Sequence, residues 1–200
     1  GISPHKKSHV VLYGANIGQE KSPLCHIEAV EAMFPDKFPA EEKSIDLSMR
    51  CEHEDNSRDF WETEKTNLKT LFQRQIEFRI RENNPSHFSL FALAPQPLLI
   101  QLGTLFTDKI DVDVYQLHRE PKNWRWQSHP ERFRFIINEP PDYEHNPALI
   151  ISLSDRIAPE RVKRVIGNNV SIWELTVEEE FLHNDFLRSQ AQLSLFRECI

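Results

Sequence analysis

Between Gln116 and Arg134, five basic residues (Arg119, Lys122, Arg125, Arg132 and Arg134) stand against two acids, Glu120 and Glu131. That is a surplus of +3 inside a chain whose net charge is −7. Trp124 and Trp126 are interleaved with Arg125, and Gln116 and His118 lead into the run. Guanidinium and ammonium groups neutralise phosphates, while aromatic faces stack on bases. The chemistry this composition suits is therefore the binding of a nucleotide. If the run is a strand, both tryptophans face one way and Arg125 the other. A solvated β-ribbon whose tryptophans pack on the core would read the same.

Three further segments could present donors to a ligand. Gly14 to Pro23 holds Asn16, Gly18, Gln19, Lys21 and Ser22. Its Gly-x-x-x-Gly spacing is neither a dinucleotide fingerprint nor a Walker loop, yet two glycines allow close backbone approach. A turn followed by a capped helix explains that spacing equally well. In Ala94-Pro95-Gln96-Pro97, Gln96 is a poor N-cap residue, which leaves first-turn N–H groups for a ligand, or for nothing if the turn is only rigid. In Ser152-Leu153-Ser154-Asp155, the hydroxyls of Ser152 and Ser154 can meet phosphate or ribose, or cap the turn.

Signatures of catalysis are missing. There is no G-x-S-x-G elbow, no H-E-x-x-H and no phosphate-binding Gly-rich loop, and the nine histidines are scattered. The three cysteines, Cys25, Cys51 and Cys199, form no C-x-x-C, which removes a zinc ribbon and fits a reducing cytosol. Cys51 and His53 lie among Glu52, Glu54 and Asp55, where solvation is a simpler reading than a metal. No catalytic residue, metal ligand or cofactor is expected. With 31 acidic and 24 basic residues, nonspecific binding to duplex DNA is disfavoured.

These segments need strands and helices to hold them. The 200 residues suffice for one domain, or for two small units. Buried strands are predicted at His9–Tyr13, Ser44–Leu47, His87–Leu93, Asp111–Gln116, Ala148–Leu153 and Val170–Leu175. Extra β structure is predicted at Trp124–Gln127 and Arg132–Asn138. Helices are predicted from Ser22 and Pro23 to about Phe34, with Ile27, Ala29, Val30 and Met33 inward. Others cover Ser57–Asn83, Pro97 to about Phe106, Pro159–Ile166 ending on Gly167, and a last one capped by Asn184. Such alternation implies an α/β fold with a mainly parallel sheet and helices on both faces. Ligands of open sheets of this kind lie beyond the C-terminal strand ends, where all four segments fall. Pro140 and Pro141 mark a break between two halves.

The stretches HVVLYGANIGQEKSPL (9–24), WETEKTNLKTLF (61–72), HFSLFALAPQPLLIQLG (87–103), VYQLHREPKNWRW (114–126), ALIISLS (148–154) and IWEL (172–175) resemble the SAVED family. They are most similar to the sensor half of HNH-SAVED endonucleases of bacterial antiphage defence. The resemblance implies a single sensor domain over residues 1–200, built of two fused CARF-like, Rossmann-like halves at about 8–138 and 148–200. On this reading the second half is truncated, and a nuclease domain with its divalent metal would precede Gly1. The domain would bind a cyclic di- or oligonucleotide, a cGAMP isomer being favoured, made by a partner nucleotidyltransferase. It would then oligomerise in the bacterial cytoplasm and switch on the nuclease, with no membrane involved. Asn16 to Ser22, Pro95, Gln96, Gln116, His118 and Arg119 would line the site. Trp124 or Trp126 would stack on a base, Lys122 or Arg125 would meet phosphate, and Ser152 and Ser154 would contribute from the second half. A ring nuclease that cleaves its own ligand, and a scaffold that only oligomerises, are the alternatives.

Overall fold

A computed structural model describes residues 3–17, 24–49, 53–83, 87–107 and 110–199. The chain divides into two compact units. The first is Gly1–Leu117 with Pro121–Arg125, and the second is His118–Glu120 with Trp126–Ile200.

The first unit is built on a parallel sheet. β1 (Lys7–Gly14) pairs with β2 (Phe38–Pro39) and β3 (Ile45–Asp46) on one side and with β4 (Phe88–Leu93) on the other. β5 (Val112–Tyr115) extends the sheet beyond β4. His9 is in register with Phe88, and Phe88 with Val112. The continuous apolar run of β1 follows from this central position, because a parallel strand between two others is covered on both faces. Val10, Val11, Leu12 and Tyr13 are all buried. α1 (His26–Met33) buries Ala29, Ala32 and Met33. Ile27, predicted to face inward, is 65% exposed, because the shorter helix turns its Ala29–Met33 side to the core instead. Ser22 and Pro23, the predicted cap, lie outside the described residues.

The long helical segment is three pieces: α2 (Arg58–Phe72), a π-helical turn at Gln73–Glu77, and α3 (Phe78–Asn83). Ser57 caps α2 by accepting a hydrogen bond from the N–H of Phe60. The core-facing residues are Phe60, Glu64, Leu68, Phe72 and Ile76, with Ile80 partly buried behind them. All are four residues apart. At 3.6 residues per turn each such step overshoots by about 40°, so a regular helix would rotate this stripe off the core. The π turn takes up one surplus residue and returns Ile76 and Ile80 to the core side. α4 (Gln96–Phe106) closes the layer, with the Phe72 and Phe106 rings edge to face at 5.0 Å.

The second unit has a three-stranded mixed sheet. β8 (Val170–Val177) is central, parallel to β7 (Asn146–Ser152) and antiparallel to β6 (Phe135–Asn138). β6 thus pairs within the second unit, although its position before Pro140 suggested the first half. α5 (Pro159–Ile166) follows β7 and ends at Gly167, whose φ of +91° suits glycine. The last helix, α6, is Gln190–Cys199. Asn184 does not cap it. Instead the Gln192 side chain reaches back to accept from the N–H groups of Arg188 and Ser189. Ser189-x-x-Gln192 is half of a capping box, a signal the sequence carries.

Trp124–Gln127 is not a strand. The N–H of Arg125 bonds the side chain of Asn123, and the N–H of Gln127 bonds the carbonyl of Arg188. One local side-chain acceptor and one distant backbone carbonyl take the place of a ladder there.

Candidate functional site

The C-terminal ends of β1, β4 and β5 lie side by side in the first unit. The N–H of Ala15 donates to the carbonyl of Leu93 at 3.2 Å, holding the exits of β1 and β4 together. The N–H of Gly14 donates to the hydroxyl of Ser48 at 2.8 Å, which ties the loop after β3 to the same edge. Asn16 follows, half-buried. Pro95 is the N-cap of α4 and supplies no side-chain bond; the N–H groups of Leu98 and Leu99 both turn back to its carbonyl. Gln96 follows at the positive end of the helix, and its side chain is exposed. Gln116 leaves β5 half-buried, its side-chain amide donating to the carbonyl of Leu117. Asn16, Pro95, Gln96 and Gln116 thus come together at one sheet edge. Gly18, Gln19, Lys21 and Ser22 lie outside the described residues.

Beneath this edge the side chains are not ligand-facing. Tyr13 is fully buried and its hydroxyl is pushed well above its ordinary pKa, by burial and then by the charge of Glu64. Tyr115 is pushed up to about 12, by burial and then by Asp113. Its ring stacks on Phe91 at 4.4 Å, and Phe91 in turn receives Trp124 edge-on at 5.4 Å. Trp124 is only 2% exposed. It is a core residue of the first unit, and a base cannot stack on a ring whose faces are already covered. Lys122 and Arg125, on either side of it, are exposed.

In the second unit Trp126 is half-buried and meets the ring of His118 edge-on at 5.9 Å. His118 is wholly buried beside Asp185, so it supports the segment rather than facing solvent. Arg119, next to it, is exposed. Ser152 is wholly buried. Its hydroxyl accepts from the N–H of Ile157 and its carbonyl accepts from Thr176. It closes the turn after β7, the plainer of its two readings. Ser154 is exposed. The two tryptophans and Arg125 therefore do not alternate across one strand.

Sequence reasoning missed a Ser–His–Asp set at the opposite, N-terminal end of the first sheet. The Ser8 hydroxyl is 2.8 Å from both Ser89 and His87 Nδ1, and His87 Nε2 is 3.3 Å from Asp113. Ser8 and Ser89 are entirely buried. No substrate reaches such a hydroxyl, and the group ties β1, β4 and β5 together. It also missed a cavity of about 680 Å³ in the second unit, lined by Ile150, Ile172 and Lys163 and by the carboxylates of Glu139, Asp142 and Glu174. The Asp142 carboxyl is held below its usual pKa chiefly by its bond to His145. The cavity lining mixes these carboxylates with Arg156, Lys163 and His145, so its charge does not single out a phosphate-rich ligand.

The mainly parallel sheet with helices packed against it is an α/β domain of the Rossmann-like kind. Residues 68–200 match the SAVED model, the "SMODS-associated and fused to various effectors sensor domain". The chain belongs to the SAVED family, whose members are sensors of cyclic oligonucleotides in defence. No curated protein matches it. Among the described residues no helix is long and apolar enough to cross a membrane.

Proposed function

We propose that this chain binds a cyclic dinucleotide, a cGAMP isomer by preference, supplied by a partner nucleotidyltransferase in the bacterial cytoplasm. Binding promotes association between copies of the domain, which activates a fused HNH endonuclease. The observation that carries the reading is the sensor-family match over residues 68–200, which takes in the ends of β4 and β5 and the basic segment after them.

On this reading Asn16, Gln96 and Gln116 of the first unit supply hydrogen bonds to ribose, base or phosphate. Lys122 and Arg125 of that unit, and Arg119 of the second, supply positive charge. Trp126 is the tryptophan of the pair with exposed ring surface. The ligand drives association only to the extent that it binds the associated state more tightly.

The test is thermal melting against a panel of cyclic di- and trinucleotides. A ligand at 100 times its Kd that binds only the folded chain stabilises it by about 2.7 kcal/mol, a rise of roughly 5–10 °C at this size. One cyclic dinucleotide should produce that rise, and Arg119→Ala should reduce it by about half at the same ligand concentration. Light scattering with the same ligand should show a larger species, and chromatography should recover the ligand intact. A linear product would favour the ring-nuclease alternative. The absence of a shift with every member of the panel would sink the sensor reading for this chain.

A further inference from the structure

Arg119 is exposed, and its guanidinium has no acceptor among the described residues. Its backbone is held firmly. The N–H of Arg119 donates to Oδ1 of Asp185 at 3.3 Å, and the buried His118 ring stands 3.7 Å from the same oxygen. Oδ2 of Asp185 accepts from Arg188 at 3.1 Å. The other guanidinium nitrogen of Arg188 donates to the side chain of Gln127 at 2.7 Å. Gln127 completes the brace: its side-chain amide donates to the carbonyl of Glu120, and its N–H to the carbonyl of Arg188. All these residues belong to the second unit.

Two physical points give the brace a purpose. A buried carboxylate next to an anion-binding arginine would repel the anion unless its own charge were neutralised, and Arg188 neutralises it. An arginine whose peptide is already fixed loses less freedom when it takes a phosphate in a bidentate grip.

We propose that Asp185, neutralised by Arg188, is a positioning residue for anion binding: it fixes the Arg119 peptide so that the free guanidinium is presented to a ligand phosphate. This rests on the reading that Arg119 contacts the cyclic nucleotide.

The test is a double-mutant cycle with fluorescently labelled 3′,3′- and 2′,3′-cyclic GMP-AMP as probes. Arg119→Ala and Asp185→Ala should each weaken binding by about tenfold. The double variant should bind no more than about twofold more weakly than Arg119→Ala alone. Independent losses multiplying to about a hundredfold would overturn the proposal, because general destabilisation does not depend on Arg119. Asp185→Asn keeps the acceptor for the Arg119 N–H, so it should bind more tightly than Asp185→Ala. If Asp185→Ala fails to fold, Asp185→Asn and Arg188→Ala take its place in the cycle. A ligand-free reading separates the two hypotheses. Amide exchange at Arg119 and Gln127, followed by NMR, should accelerate in Asp185→Ala while exchange in β7 and β8 does not. If neither probe nor any other member of the cyclic-nucleotide panel binds the unaltered chain, the sensor reading and the anion role fall together, whereas local acceleration alone would preserve the brace. Unchanged exchange at Arg119 would remove the brace as well.

Discussion

The two units are held together by different means. In the first, aromatic and aliphatic side chains from α2, α4, β1 and β4 form one buried cluster around Phe60, Leu68, Phe72 and Phe88. In the second, α5 buries none of its residues fully, and Leu149, Ile151 and Val165 are exposed, the last by 83%. Much of its definition comes from hydrogen bonds: Asp185 with Arg188, Ser189 with His129, and Gln192 with the backbone before α6. One unit is specified by packing and the other to a large extent by polar groups that must be satisfied in one geometry.

If that contrast is right, truncating a ring in the first core has the largest effect. Phe72→Ala should cost about 3–5 kcal/mol and lower the urea midpoint sharply; a loss under 1 kcal/mol would show that the core collapses around the gap. In the second unit the equivalent blow falls on a polar side chain. Gln192→Ala strands the N–H groups of Arg188 and Ser189 and the carbonyl of Phe186, at a cost of about 2 kcal/mol. Helicity measured by circular dichroism should fall with it.

Alkaline pH offers a third way to separate the units. The pKa of Tyr115 is raised to about 12 in the folded chain, above its ordinary value of 10. The folded state therefore holds a proton that the unfolded state releases. The stabilisation is complete below pH 10 and is lost as pH climbs toward 12. Near-ultraviolet signals from the first unit should fade over that window, and Tyr115→Phe should retain them to higher pH. The smallest effect is expected at Val165. Val165→Ser should change stability by no more than about 0.5 kcal/mol; a larger loss would mean that α5 is packed more tightly than its exposure indicates.

Much of the first unit was legible because its periodicities are strong. β1 and β4 are apolar runs, and α4 begins at the proline pair. The positions of Asn16, Gln96 and Gln116 were legible for the same reason, since strand ends and helix starts place them without further information. What could not be read is how tertiary partners use polar and aromatic residues. Trp124 has the composition of a stacking platform, but Phe91 and Tyr115 claim it. His118 and Ser152 carry groups suited to a ligand, but Asp185 and the turn after β7 occupy them. Asn184 ranks higher than glutamine as a helix cap, yet Gln192 does the capping from inside α6. Nothing in the local pattern around Asp185 points to Arg119, which is 66 residues away.

The π turn at Gln73–Glu77 has a consequence for insertions and deletions. A residue removed from an exposed loop shortens a connection and leaves the flanking elements in place. A residue removed here would take out the surplus residue and leave an uninterrupted α repeat, with α3 still presenting the same side to the sheet. Arg79 would still meet Glu41, 3.3 Å away, and Ile80 would stay on the core side. A residue removed from the regular turns of α2 has no such slack and would swing everything after it by about 100°. The π turn is therefore the place in this helical segment where a change of residue count is absorbed.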